Sequence, residues 1–482
     1  MSLSSGEAKR KLVHIAVGLF ALLLRWLTWP QAAALAAAAF LFNWQVLPRI
    51  GGRALWRGPE QERGYARGIL LYPLSVLGLV LFFHSDADLY KVAAVWGVMA
   101  FGDGMASLLG QAAGGPRLPW NPAKGWTGFV SFLVFGTLGS SVLMAWTLRL
   151  PLASVLSPRI LALSLPLAIV CALTESVPTT LDDNLTVPLV GGVWMALVAP
   201  VEFGALISSP VFVAGLVLGL AVNGALAALA FATRSIDAAG AVSAVIIGTA
   251  ITVGLGLRGL AVMIAFFVVG SAVTKLGYRI KAARGIAQER GGARGWRNAW
   301  ANGGVPAFLA LLAGAYRASA SEGLGVGGAA LVPAWFGYVL TIAFAAAVAT
   351  AAADTCSSEV GKAYGRRTFL ITNLKPVAPG TEGAVSLEGT LGGLGGGALV
   401  AAAGALCGLY PWPLAALVAL AGLLGSLAES VIGSVAERRG WLDNDLLNAL
   451  NTAIGGALAG SLLPLAHPVL GATTLLLGAA PR

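Results

Sequence analysis

Charge is scarce in this sequence: acidic and basic side chains make up 11% of 482 residues, against 57% hydrophobic. So few charges cannot coat a water-soluble fold of this size, and a mean hydropathy of +0.81 excludes one. Cysteine and histidine are scarcer still, with three of each. Cys171, Cys356 and Cys407 lie in or beside apolar segments without metal-ligand spacing, and an odd, scattered set gives no disulfide framework. His14, His84 and His467 share no motif and are read as structural. Neither half holds a Walker phosphate loop. Lys9, Arg10 and Lys11 precede an apolar run as in a signal peptide, but "LLLRWLTWP" offers no small-residue cleavage site. A retained first helix is expected.

What is present is apolar sequence. Runs of about 17 to 25 residues recur from end to end, each long enough to cross the hydrocarbon layer as a helix. The expected fold is an all-α, polytopic integral membrane protein. Spans are expected to begin near residues 12, 31, 67, 88, 126, 158, 186 and 209, then near 240, 258, 301, 330, 390, 412, 445 and 465. That is about sixteen, within a range of about 14 to 16. The formal charge of +10 sits in short loops beside spans, not on a soluble face, which argues against nucleic acid as a partner. Those cations serve as topology signals, as anchors to bilayer headgroups or as phosphate ligands. The N-terminus and the loops at 49–67, 113–125, 279–297 and 362–375 fall on one side of the membrane. The positive-inside rule makes that side cytoplasmic, and a bacterial inner membrane is the expected location.

One hydrophilic phrase occurs twice. "RGPEQERGYARG" at 57–68 and "RGIAQERGGARG" at 284–295 are identical at nine of twelve positions, at an offset of 227. Further along, "FGDGMASLLGQAAG" pairs with "AADTCSSEVGKAYG", aligning Asp103, Ser107, Gly110 and Gly114 with Asp354, Ser358, Gly361 and Gly365. "GWTGFVS" at 125–131 pairs with "GTEGAVS" at 380–386, aligning Gly128 with Gly383. "LTESV" at 173–177 pairs with "LAESV" at 427–431, and acidic clusters follow, "LDDNL" at 181–185 and "LDNDL" at 442–446. Four motifs in the same order predict two tandem, homologous, parallel repeats, residues 1–230 and 235–482, each with its own site.

An ionisable residue inside a span costs about 2.5–3.5 kcal/mol on insertion scales, so it needs a partner or a function. Carboxylates converging with Arg and Lys suit a magnesium-bound nucleotide: hard oxygens for the metal, cations for the phosphates. Glycines let backbone N–H groups approach phosphate oxygens. The same spacing also serves small-residue helix packing, the reading given to "GGLGGGAL" at 392–399. Phosphoryl transfer is mostly positioning and charge neutralisation, so such a set suffices without a nucleophilic side chain.

On these residues the first half, about 8–230, resembles the dolichol kinase/phytol kinase family of CTP-dependent polyprenol kinases. The matching positions are Asp103, Ala106, Gly110 and Gly114, then Lys124 and Gly128, together with "RKLVHI" at 10–15 and "DDNLTVPLVGG" at 182–192. The family's paired lysines and following acidic residue are here Ala123, Lys124 and Thr127. The second half, about 235–482, is similar to the membrane family that contains plant phytyl-phosphate kinase. There the matching stretches are "GSAVTKLGYRIK", "AADTCSSEVG", "PGTEGAVSLEGT" and "GSLAESVIGS". The resemblance implies two consecutive steps: an isoprenoid alcohol becomes its monophosphate, and the isoprenyl monophosphate becomes the diphosphate. CTP is the implied donor, with another nucleoside triphosphate also open to the second half, and Mg2+ the implied cofactor.

The expected acidic residues are Asp103, Glu175, Asp182 and Asp183 in the first half and Asp354, Glu429, Asp443 and Asp445 in the second. Of these, Asp103, Glu175, Asp183, Asp354, Glu429 and Asp443 are the expected metal ligands. Phosphate is assigned to Arg63, Arg67 and Lys124, and to Lys275, Arg290 and Arg294, with Gly110, Gly114, Gly128, Gly361, Gly365 and Gly383. Two other readings use the same features. A phosphatidate cytidylyltransferase also brings CTP to a lipid phosphate, and a secondary transporter also combines repeats with intramembrane carboxylates.

Overall fold

The computed structural model describes residues 5–50, 56, 58–63, 65–201, 207–286, 295–321, 334–436 and 443–470. These form two compact units, Met1–Pro200 and Val201–Arg482. Both are helical, as expected, and each adds one two-stranded antiparallel hairpin: Arg117–Leu118 with Asn121–Gly125, and Phe369–Leu370 with Ala384–Val385. Among the described residues nine helical elements are long and apolar enough to cross a membrane, one of them the kinked Ala238–Lys275, and the count of sixteen is not supported. Ser5–Gly18 carries Glu7, Lys9, Arg10 and Lys11, and Trp29–Leu41 has only 13 residues. Arg67–Phe83 and Asp183–Val198 are apolar but short. The last helix, Asn444–Leu470, runs through the start expected near 465.

The starts near 240 and 258 share one 38-residue element, Ala238–Lys275, broken at Gly256 (φ 66°, ψ −164°). A Cβ on Gly259 would lie 3.2 Å from Cγ2 of Ile251, eight residues earlier. Along a straight helix those positions are about 12 Å apart, so the chain doubles back at Gly256. The left-handed φ explains why glycine stands there.

In the first unit, helices Leu89–Gly97 and Trp126–Thr147 cross backbone to backbone. A Cβ on Gly97 would fall 2.7 Å from the carbonyl of Gly139. Such close approach is how helices gain dispersion contacts where lipid supplies no hydrophobic drive. One end of this bundle is tied by Arg25, which lies 4.3 Å over the Trp146 ring and donates to the Trp146 carbonyl at 3.1 Å. Trp146 donates in turn to the carbonyl of Leu22, and the Trp29 amide donates to Asp86 at 2.6 Å. At the other end, Trp120 and Asn121 of the hairpin both donate to Ser176, each at 3.0 Å, and so dock the hairpin on the end of helix Pro158–Ser176. Every acidic residue expected in this half lies at that hairpin end.

The second unit begins with helix Pro210–Ala232, capped by Ser209 and packed on Ala238–Lys275 through Asn223, which donates to Thr252 at 3.2 Å. Helices Ala334–Tyr364 and Leu387–Leu406 meet across the "GGLGGGAL" stretch. A Cβ on Gly396 would sit 2.4 Å from the Cys356 sulfur, so these glycines serve packing. Arg317 donates to the Gly254 carbonyl at the reversal, at 2.5 Å, and Arg258 to Gly408 at 3.3 Å. The opposite end is held by Arg284, which donates to the Lys362 carbonyl at 2.7 Å, and by Arg297, 3.4 Å from Asp445.

This arrangement predicts the sidedness of the first unit. With the three native cysteines removed, Arg117→Cys and Ala153→Cys should react with an impermeant maleimide from opposite faces of the membrane. Both positions are exposed, and labelling of both from one face would contradict the bundle.

Candidate functional site

In the first unit the site grows from a local defect in a helix. Between Val98 and Asp103 the helix widens into a π turn, then resumes at Gly104. Asp103, at the end of that turn, is buried. The Lys11 ammonium clasps both its carboxylate oxygens, at 2.8 and 3.1 Å. His14, one helical turn after Lys11, holds Nε2 3.5 Å from Asp103 and 3.1 Å from the Met99 carbonyl. The hairpin brings Lys124 to Glu175, 2.5 Å from Oε1 and also in contact with the Glu175 backbone carbonyl. One oxygen each from Asp103, Glu175 and Asp183 fall within 4.8 Å of one another.

Three hard oxygens that close form a donor set for a divalent cation such as Mg2+ or Mn2+. Asp183 stands just ahead of its apolar run; burial, and then the neighbouring Asp103 charge, push its carboxyl up to about 7. Carboxylates this close together favour a shared cation or proton over three bare charges. Asp182 has a different task. It is the N-cap of helix Asp183–Val198, accepting from the Asn184 side chain at 2.9 Å and sharing the Asn184 amide with Asp183, each at 3.0 Å.

The glycines of this half divide by role. A Cβ on Gly110 would lie 3.1 Å from Cα of Gly128, and one on Gly128 would lie 3.2 Å from the Ala106 carbonyl. Both fill the crossing of helices Gly104–Ala113 and Trp126–Thr147. Gly114 (φ 64°) ends the first of those helices, where its carbonyl accepts from Thr127 at 2.5 Å. Arg67 is exposed at the start of its helix, beside Gly68, whose Cβ would meet the Asn184 amide at 3.3 Å. Arg63 lies in the short helix Gly58–Arg63, and its side chain is outside the described residues.

The second unit holds a cavity of about 200 Å³, walled by Asp354, Glu359, Lys362, Glu382, Gly383, Glu429 and Asn448. The carboxyls of Asp354 and Glu429 are within hydrogen-bonding reach of each other. Asn451 is fully buried beside Glu429, and its amide lacks a well-formed hydrogen bond. Gly361, Gly383 and Ser386 line the same space, and a Cβ on Gly383 (φ 72°) would fall 2.5 Å from Cβ of Ser434. Gly365 seals the helix end, where a Cβ would lie 2.5 Å from the Gly361 carbonyl.

Asp443 and Asp445 do not line this cavity; both face Arg297, at 3.9 and 3.4 Å, and Asp443 caps the last helix through the Leu446 amide. It is Asn444 and Asn448 of that segment that reach the wall. Lys275 is exposed at the end of its helix. Arg290 and Arg294 lie outside the described residues.

Several residues here were not read from the sequence. Lys11 and His14 were hidden because a basic N-terminus normally reads as topology, although their i, i+3 spacing puts both on one helix face. Lys281 and Glu359, both buried, form an ion pair beside the cavity, and Lys281 also donates to the Thr274 carbonyl at 2.8 Å. They sit inside "GSAVTKLGYRIK" and "AADTCSSEVG", whose apolar neighbours gave the only signal. Asn451, uncharged, gave none.

Residues 221–456 match the family described as integral membrane protein DUF92. An uncharacterized membrane protein of Synechocystis is 40% identical over 215 residues, 44% of this chain and 77% of that protein. The chloroplastic protein VTE6 of Arabidopsis thaliana is 39% identical over 230 residues, 46% of this chain and 64% of its own. Phytol kinase 1, chloroplastic, of Arabidopsis thaliana is 30% identical over 196 residues, 37% of this chain and 62% of its own. The match thus spans less than two thirds of both plant proteins. No solved structure matches the chain.

The split between adjacent aspartates is testable. Asp182→Ala should lower unfolding free energy by about 1 kcal/mol, the usual value of a lost cap, and leave Mn2+ binding in place. Asp183→Asn should remove Mn2+ binding, read by electron paramagnetic resonance, with a smaller effect on the thermal transition. The reverse pattern would put the ligand at position 182.

Proposed function

The chain belongs to the integral membrane protein family DUF92, and from that premise we propose that it is a membrane phosphotransferase acting on isoprenoid alcohols and their monophosphates. The observation that carries this reading is the trio Asp103, Glu175 and Asp183 flanked by Lys11 and Lys124 at one end of an apolar bundle. A phytol kinase and VTE6 among the relatives support it. Mg2+ held by that trio would neutralise charge on the polyphosphate. Around it the chain's own residues bind and orient: Lys124 and Lys11 supply ammoniums to phosphate oxygens, and Asp182 fixes the helix that presents Asp183. In the reaction the terminal phosphoryl group of the nucleoside triphosphate passes to the alcohol oxygen. The hydroxyl proton is lost and the nucleoside diphosphate leaves. CTP is the donor we assign, and the carboxylate end faces the cytoplasm.

The second unit takes the next step, from monophosphate to diphosphate. Its support is an element order that runs as in the first unit. A helix bearing an aspartate is followed by a two-stranded hairpin, a packed helix, a helix with glutamate near its end, and a helix headed by an Asp–Asn pair or its inverse. We read the two units as tandem copies on that ground. An acceptor that is already an anion needs little help in losing a proton, so cations such as Lys362 matter more there than a base.

The half-reactions should separate. Asp103→Asn should slow alcohol phosphorylation by on the order of 10²–10³ and spare conversion of monophosphate to diphosphate, while Asp354→Asn should do the reverse. Both steps are followed by chromatography of labelled lipid products. Loss of both steps in a folded Asp103→Asn protein would overturn the two-site reading.

A further inference from the structure

Lys11 and Lys124 of the first unit engage the carboxylates that a cation would need. Lys11 covers both oxygens of Asp103, and Lys124 covers Glu175 through its carboxylate and its backbone carbonyl. Three carboxylates thus face two ammoniums, and among the described residues Asp183 has no lysine of its own within ion-pair distance. A divalent cation seated among the three oxygens would stand beside two positive charges in a half-buried site, where repulsion is poorly screened. Cation and lysines therefore compete for the same oxygens. Both lysines end flexible four-carbon stems, and the Lys124 side chain is 34% exposed on the hairpin.

We propose that Lys11 and Lys124 are exchangeable counter-ions: they neutralise the carboxylates while the cation is absent and are released by it to bind polyphosphate. This rests on Asp103, Glu175 and Asp183 being the cation site. It makes cation and nucleotide binding mutually reinforcing, because each cation seated frees two ammoniums for the phosphates. It also orders the events. A nucleotide arriving without its cation meets lysines already engaged by carboxylates. Fixed structural anchors would behave in the opposite way, since losing one would disorder the carboxylates and weaken cation binding.

The test uses the intact wild-type chain in liposomes or detergent. An acetylating reagent is added with and without saturating Mn2+, and modification of each lysine is read by mass spectrometry. Acetylation of Lys11 and Lys124 should rise about fivefold or more with the cation, the lower range of measured site-to-site coupling. Lys91, paired with Asp88 at 2.7 Å away from the carboxylate trio, should not change. Mn2+ affinity is measured in parallel by electron paramagnetic resonance. By reciprocity Lys11→Met should bind Mn2+ about fivefold more tightly, and Lys11→Arg should stay close to wild type. Binding of Mn2+ with no rise in acetylation, or weaker binding by Lys11→Met, would overturn the exchange and leave the cation site standing. No difference in Mn2+ binding between wild type and Asp183→Asn would remove the cation site and the exchange with it.

Discussion

A carboxylate held at the end of an apolar helix must be neutralised, and the placement of the surrounding elements follows from how that is done. An ionised group at the centre of a span costs about 2.5–3.5 kcal/mol on insertion scales, and one nearer the end costs less but still needs a partner or water. The first unit meets the cost with lysines brought from far away in sequence. Lys11 arrives on the N-terminal helix and Lys124 on a hairpin that Trp120 and Asn121 pin to Ser176. Remove the hairpin and Glu175 loses its cation. Widen the helix differently at Val98–Asp103 and Asp103 no longer meets Lys11. The second unit answers the same constraint with other chemistry, a carboxyl pair beside the buried amide of Asn451 and a nearby Lys281–Glu359 ion pair.

The clustering of three carboxylates in the candidate site was legible before the fold. Asp103, Glu175 and Asp183 come from three separate motifs, yet an apolar chain that spends carboxylates in or beside its spans must bring them together or pair them. What the sequence could not separate was Asp182 from Asp183, because neighbours at a helix start differ only in which one caps. The glycine motif was legible as close approach but not as its object. Gly110 and Gly128 approach each other's helices, whereas Gly383 and Gly361 border the cavity. The acidic cluster at 442–446 divides in a related way. Its aspartates stay at the exposed end with Arg297, and the amides of Asn444 and Asn448 turn to the wall.

The helical, membrane-spanning character was fully legible from hydropathy, while the number of spans was not. Hydropathy windows see apolar length and miss continuity. The same kind of Ala/Gly-rich stretch reverses at Gly256 and runs straight through 444–470. A single left-handed glycine decides the first case, and no periodicity marks it out among 64 glycines.

The central claim is that the chain moves a phosphoryl group onto a lipid oxygen twice. Mass spectrometry of products formed by the purified full chain from phytol, geranylgeraniol or farnesol, with CTP and Mg2+, tests it most directly. The account predicts lipid monophosphate followed by lipid diphosphate, with one CDP released for each phosphate gained. A lipid product carrying CMP with release of pyrophosphate, or lipid binding with no nucleotide consumed, would contradict it.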